Sequence, residues 1–213
     1  MADNSASWCA SRLKHESILR AKAVGDNLME IEVAELGTAF VATMSQHVVS
    51  MDNVPPAAMR QETQFLLNIP KNSLFQRDVI AFAGRAPIGI GGIADLYRAV
   101  NDKELRGYIH PERKFLTRVL IQHSAVSRVE LLNNQTYLIH RDSLGLGAYQ
   151  VLVVNEYDVT ADVIRSNIEK FGHSRTIYAS NPSGRVTPEA NEAAKHAGVR
   201  VVNLSQLLGA LNS

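Results

Sequence analysis

The sequence predicts an α/β protein, and two observations lead to this prediction. Three short β-branched segments, 149–155, 176–179 and 199–204, alternate with segments of helical periodicity over the last third of the chain. The connections between them are short, as helical crossovers between parallel strands require. We therefore expect a β-α-β-α-β-α order over residues 149–211, preceded by a mixed α+β N-terminal region.

The first of these segments predicts a strand buried inside a sheet. It is an apolar run from Tyr149 to Asn155, typical of a strand that is covered on both faces. The side chains of Asp158 and Thr160 both offer an oxygen that could cap the helix that follows. Gly172 is expected to end that helix, because glycine readily takes the positive φ of a helix C-terminus.

The remaining elements of this region follow the same logic. Residues 176–179 form the second predicted strand, and the Asn-Pro-Ser-Gly sequence at 181–184 predicts a turn. A threonine followed by proline at 187–188 marks a helix start, since proline suits the first helical position. A third strand follows at 199–204, and Ser205 is expected to cap a final helix.

The last third of the chain carries a family resemblance. The segment TPEANEAAKHAGVRVVNLSQLLGAL follows a strand with a small polar loop. In this arrangement it resembles the closing half of restriction-endonuclease-like domains of the Mrr type, in which an Ala-rich helix leads to a Val-rich strand and a Leu-rich helix. Rossmann-like domains end in the same order of elements, so both folds stay open. The resemblance implies a role in a microbial antiviral defence or DNA-processing complex.

The catalytic motif of that family is not matched. It consists of an acid on one strand and Glu/Asp-x-Lys on the next, whereas the corresponding strand here ends in Val-Val-Asn-Glu-Tyr at 153–157. We therefore expect a degenerate site, with no metal and no cofactor, and the sequence identifies no catalytic residue, so whether the chain is an enzyme stays open. The alternative hypothesis is an active Mg²⁺-dependent nuclease with relocated carboxylate ligands. Its candidate ligands are Glu130, Asp142, Glu156 and Asp158.

The N-terminal region begins with a predicted amphipathic helix over residues 5–24, in which Trp8 is a candidate anchor for a partner chain. Strands are predicted at 29–33 and 65–69, and a helix is expected to begin at Ser73. No internal repeat is evident.

The glycine-rich segment 84–92 matches neither dinucleotide-binding nor P-loop spacing. We interpret it as a hinge between halves or a tight turn. The predicted domains are accordingly 1–92, mixed α+β, and 93–213, α/β.

Helices are predicted at 93–101 and 111–124, followed by a hairpin at 126–140. With a short helix near 103–105 this order is that of a winged helix, which places one helix in the major groove. We prefer the alternative in which the hairpin joins strand 149–155 in one sheet. In the helix 111–124, Phe115 and the other apolar residues are expected to face inward.

Basic residues are the candidate binding groups. Residues 98–141 contain eight Lys or Arg against four acids, and a turn arginine before the helix at 188 suits a phosphate or carboxylate. The predicted nucleic-acid-binding residues are Arg113, Lys114, Arg118, Arg128, Arg141 and Arg185.

Composition limits the classes of function. The net charge of +1 excludes a general polyelectrolyte binder, so any nucleic-acid contact requires a local patch. The single Cys9 excludes an internal disulfide framework and fits a reducing cytosol. No apolar run approaches the roughly 20 residues of a membrane span, and the N-terminus lacks a signal-peptide core. We expect a soluble cytoplasmic protein without membrane contact.

Two broad functions compete on these observations. The leading hypothesis is a nucleic-acid-binding or assembly subunit with a degenerate endonuclease-like fold. Its partners would be DNA or RNA, together with another protein or a second copy of this chain. The rival from another class is a structural interaction subunit, docking through the Trp8 helix and the C-terminal helix at 204–211.

Overall fold

The structure of the chain is a computed structural model that describes residues 5–142, 145–172 and 174–212. The chain forms two compact units, Met1–Arg113 and Lys114–Ser213. Both combine helices with a mixed sheet, so the predicted α/β class is confirmed. The boundary that the sequence suggested, between residues 92 and 93, falls inside the first unit. Among the described residues, no helix is both long and apolar enough to cross a membrane.

The first unit is a five-stranded sheet with helices on both faces. Its elements are α1 (Ser5–Arg12), β1 (Ile18–Gly25), β2 (Leu28–Val33), β3 (Gly37–Met44), β4 (Val48–Val49), two 3-10 turns (Met51–Asn53 and Pro56–Met59), β5 (Thr63–Asn68), β6 (Leu74–Phe75), α2 (Arg77–Arg85), β7 (Gly89–Gly91) and α3 (Ile93–Asn101). The sheet order is β1-β2-β3-β5-β7. The first three strands are antiparallel and the last three are parallel. A small parallel pair, β4 and β6, lies apart from the main sheet.

The second unit also contains a five-stranded mixed sheet. Its elements are α4 (Pro111–Ile121, which begins before the division), β8 (Arg128–Leu131), β9 (Thr136–Arg141), β10 (Leu146–Val154), β11 (Asp158–Val159), α5 (Ala161–Phe171), β12 (Thr176–Ala179), β13 (Arg185–Val186), α6 (Pro188–His196), β14 (Arg200–Val202) and α7 (Leu204–Ala210). The sheet order is β14-β12-β10-β9-β8. The hairpin β8-β9 pairs with β10 in this sheet, as the preferred alternative predicted, and a winged helix is not formed.

The two units repeat one topology. Each starts with a helix and three antiparallel strands, continues with two parallel strands, and closes with a helix. Each also has a small parallel strand pair, β4-β6 in the first unit and β11-β13 in the second. The fold therefore contains a repeat that is not evident in the sequence.

The repetition extends to individual hydrogen bonds. The amide of Leu74 donates to the carbonyl of His47 at 2.9 Å, and the amide of Arg185 donates to the carbonyl of Tyr157 at 2.8 Å. Leu74 and Arg185 are 111 positions apart, and the same shift relates the starts of α2 and α6, of β7 and β14, and of α3 and α7.

The two cores repeat the same pattern of burial with different side chains. On the face that packs against the first and last helices, Val41, Leu67 and Leu96 correspond to Val151, Tyr178 and Leu207. On the other face, Ala42, Leu66 and Val79 correspond to Leu152, Ile177 and Ala190. When segment 65–100 is paired with segment 176–211, only four of the 36 positions are identical. Burial requires an apolar side chain at these positions but not a particular one, so the sequence does not display the repeat.

Most elements of residues 149–211 agree with their predictions. The hydroxyl of Thr160 accepts a hydrogen bond from the amide of Val163, and Gly172 has a φ of +75°. The cap of α7 differs from its prediction. Asn203, not Ser205, takes this position, because its side chain accepts from the amide of Gln206 at 2.9 Å.

The N-terminal helix is shorter than predicted, since α1 ends at Arg12 and β1 occupies 18–25. Ile18 and Ala21 of this edge strand pack on the core. Their spacing of three also fits a helix, which explains the error.

The glycine-rich segment 84–92 contains a buried strand, β7, and not a hinge. A Cβ atom on Gly89 would lie 2.5 Å from a ring carbon of Phe65, and one on Gly91 would lie 2.5 Å from the Cβ of Asp95. Glycine is therefore required here because neighbouring side chains approach the backbone closely.

We expect Leu96→Ala and Leu207→Ala to destabilise their units by similar amounts. Both leucines are fully buried at corresponding positions, and a leucine-to-alanine cavity costs about 2–5 kcal/mol in the free energy of unfolding. Urea denaturation followed by circular dichroism measures this. The control is Leu19→Ala, where the side chain is 64% exposed and the change should stay within about 0.5 kcal/mol. An unchanged urea midpoint for either core variant would contradict the equivalence.

Cys9 gives a prediction for alkaline pH. Burial raises the pKa of the Cys9 thiol from 9.0 to about 11. The unfolded chain therefore loses this proton at a lower pH than the folded chain, so the contribution of Cys9 to stability falls as pH rises from 9.0 to about 11. We expect the stability of the wild type relative to Cys9→Ala to fall across this window, as measured by urea unfolding at several pH values. A difference that does not vary with pH would contradict the shift.

Candidate functional site

The outer face of α4 gathers two of the six predicted basic residues. Leu116 and Leu120 are fully buried and pack with Tyr137 in the core of the second unit. Lys114 and Arg118 lie one turn apart on the opposite side of the helix and are exposed. The remaining basic residue of this helix, Arg113, is half-buried, so it lies closer to the core than the sequence predicted.

An aromatic ring accompanies these cations. Phe115 was expected to face inward, but its side chain is 44% exposed. It lies between Lys114 and Arg118 along the helix, while Leu116, one residue further, takes the inward position. Residues 113–129 contain four Lys or Arg and no Asp or Glu. We call the exposed side chains of Lys114, Phe115 and Arg118 the α4 face.

Arg128 belongs to a different surface. Val129 and Leu131 of β8 pack in the same core as α4, so the alternation of a strand directs Arg128 to the opposite face of the sheet. There its guanidinium lies 2.7 Å from the carboxylate of Glu130 and 3.2 Å from Nε2 of His140. Arg128 is thus exposed but partly neutralised by Glu130.

Arg141 is buried, with 4% of its surface exposed. Its guanidinium donates twice to the carbonyl of Gly147 at 3.0 Å and once to the carbonyl of Ala210 at 3.4 Å. The guanidinium carbon also lies 4.8 Å from the ring centroid of Tyr149. The prediction that Arg141 contacts nucleic acid is therefore corrected: this arginine ties β9 to the start of β10 and to α7.

Arg185 lies at the carboxyl end of the parallel strands, where an open α/β sheet commonly binds ligands. Its guanidinium donates to the carboxylate of Asp158, and this partner raises the pKa of Arg185. The Asp158 and Arg185 backbones also pair as β11 and β13. A Cβ on Gly184 would lie 2.8 Å from the carbonyl oxygen of Glu156. The two loops are therefore closed against each other, and the charge of Arg185 is balanced.

Three of the four carboxylates proposed as magnesium ligands, those of Glu130, Asp142 and Asp158, have other partners. Glu130 is bound by Arg128 and His140, and Asp142 accepts a hydrogen bond from the hydroxyl of Ser127 at 2.8 Å. Within residues 5–142, 145–172 and 174–212, no group of three or more His, Cys, Asp or Glu could hold a metal ion.

The structure thus separates the predicted residues into four places: the α4 helix, the far face of β8, the interior and the strand-end loops. Sequence reasoning missed Phe115 as a surface group. The signal was available, because on a helical projection Phe115 lies about 60° from Arg118 and about 140° from Leu120.

Comparison with known proteins adds no relative. No family model, no curated protein and no solved structure matches the chain.

We expect Arg141→Ala and Arg185→Ala to affect stability very differently. The buried guanidinium makes charge-assisted hydrogen bonds, each contributing about 1.5–3 kcal/mol to the free energy of unfolding, so Arg141→Ala should lower it by at least about 2 kcal/mol. The exposed Arg185 should contribute far less, because solvent screens its ion pair with Asp158. Urea denaturation of both variants measures the difference. Equal midpoints for the two would refute the structural role of Arg141.

Proposed function

We propose that this chain binds nucleic acid through the α4 face, using Lys114, Phe115 and Arg118. The observation that carries the proposal is the exposure of two cations and one aromatic ring together, in a segment without acids. Basic side chains neutralise phosphates, and an exposed aromatic ring stacks on an unpaired base. With a net charge of only +1, a local patch of this kind is the form that binding would take.

The resemblance to Mrr-type domains supports the same proposal. It implies an endonuclease-like unit in contact with DNA or RNA, within a microbial defence or DNA-processing complex. The strand that should carry Glu/Asp-x-Lys lacks it, so we propose binding without cleavage.

A second candidate function is assembly with another protein chain. Ile121 is 60% exposed and lies on the same side of α4 as Lys114 and Arg118. Together with Phe115 it gives α4 two exposed apolar side chains, and aromatic side chains are enriched at protein interfaces. A second copy of this chain or a different protein would meet this requirement.

The test is binding of labelled single-stranded DNA, duplex DNA and RNA, measured by fluorescence anisotropy at about 50 and about 200 mM salt with Mg²⁺ present. The variant is Lys114→Ala/Arg118→Ala. We expect its affinity to fall about tenfold or more at low salt, and the slope of log K against log salt to fall by up to about 2, because each phosphate contact contributes about 0.9.

The control is Arg165→Ala/Lys170→Ala, which removes the same two residue types from exposed positions on α5. Its affinity should remain within about twofold of the wild type, since it makes the same change in net charge outside the α4 face. The contacts that it removes are the surface ion pair of Arg165 with Asp162 and the contact of Lys170 with the ring of Phe171. Equal losses in both double variants would show that binding is not at the α4 face. Absence of binding at low salt, with a concentration-dependent mass in solution, would favour assembly. Cleaved product on a gel would overturn the proposal of binding without cleavage.

A further inference from the structure

The repeated fold gives α1 the same place in the first unit that α4 has in the second. Each helix precedes three antiparallel strands. Cys9 of α1 packs in the core that contains Leu96 of α3, and Leu116 of α4 packs in the core that contains Leu207 of α7. Cys9 and Leu116 are 107 positions apart in the sequence. The strands that follow these helices have nearly the same shift, because Arg20 of β1 corresponds to Arg128 of β8, 108 positions later.

The same shift pairs the two exposed aromatic residues of these helices. Trp8 corresponds to Phe115, and their exposed fractions are 43% and 44%. The inward side of α1 is made of small residues, Ala6 and Cys9, so the core of the first unit does not use the indole. Both repeats therefore have an exposed aromatic ring at the same place, although their inward residues differ in size. This indicates that the ring has a role at the surface.

One cation contacts the ring of Trp8, and a second cation follows it in the chain. The guanidinium carbon of Arg12 lies 5.5 Å from the centroid of the indole ring, and Arg12 and Lys14 are both exposed. The backbone after the helix is held in place, since the amide of Lys14 donates to the hydroxyl of Tyr97 at 3.0 Å. His15 contacts the same tyrosine ring, with centroids 4.7 Å apart. Arg12 therefore contacts Trp8, and Lys14 is exposed on the supported segment that follows the helix. We call Trp8, Arg12 and Lys14 the α1 face.

We propose that the α1 face is a second nucleic-acid site, which binds single-stranded DNA or RNA by stacking a base on Trp8 and contacting phosphates with Arg12 and Lys14. The proposal rests on the proposed function of the α4 face, because the two rings correspond in the repeat. The cations beside the rings stand at different positions, since Lys114 and Arg118 correspond to Ser7 and Ser11. The proposed ligand of the α1 face is more specific than that of the α4 face, because it is restricted to single strands. An indole stacks well on unpaired bases and cannot reach the bases of an intact duplex.

Trp8 provides its own probe, because it is the only tryptophan of the chain. Titration of the full chain with oligo(dT) of about 20 nucleotides should quench its fluorescence, since base stacking deactivates the excited indole. Intact duplex of the same length should quench it far less. The Arg12→Ala/Lys14→Ala variant should bind oligo(dT) about fivefold more weakly by this signal, while Arg12→Lys/Lys14→Arg restores it. Thermal melting checks that each variant is folded.

The Lys114→Ala/Arg118→Ala variant separates the two proposals. Quenching of Trp8 that persists in this variant supports an independent α1 site, whether or not the α4 face binds. Saturable anisotropy with unchanged Trp8 emission would overturn the α1 site and leave the α4 proposal standing. Equal quenching by duplex and oligo(dT) would overturn base stacking on Trp8. Absence of both signals at low salt would refute the two proposals together.

Discussion

Burial of both faces of the parallel strands is the constraint on which each unit depends. β5 and β12 each lie between parallel neighbours, and consecutive residues on them, Leu66 with Leu67 and Ile177 with Tyr178, are buried on opposite faces. Neither face can be left to water, so helices must cover both. The edge strands β1 and β8 need cover on one face only. Arg128 and other polar side chains therefore occupy the uncovered side, and surface chemistry is confined to these edges and to the outer sides of the helices.

This constraint also decides what could be predicted from the sequence. The parallel strands of the second unit are continuous apolar runs beside strong caps such as Thr160, so their type and order are clear. A strand covered on one face is less distinct, and Ile18 and Ala21 of β1 have the spacing of a helix. The repeat is not visible in the sequence because a core requires apolar side chains that fill its volume, not particular residues. Val79 in the first unit thus corresponds to Ala190 in the second, where neighbouring side chains compensate for the smaller volume.

The candidate site was harder to predict, because charge along a sequence does not specify a face. Arg128 and Arg141 lie on the two strands of one hairpin, yet the first is exposed beside Glu130 and the second is enclosed against Tyr149. On a helix, the direction in which a side chain points changes by about 100° with each residue. Phe115 is therefore exposed although Leu116, the next residue, is buried. The sequence contains the cations, but the fold determines which of them solvent and ligands can reach.

The shift of 111 positions runs without insertion or deletion from β5 to the end of α3. Segments 65–100 and 176–211 thus have equal length and the same order of elements, but few residues in common. Their strand-end turns differ completely, Ile-Pro-Lys-Asn at 69–72 against Ser-Asn-Pro-Ser at 180–183. The same arrangement of strands and helices therefore carries two different sets of strand-end turns. These turns can vary in sequence without a change to the sheet that supports them.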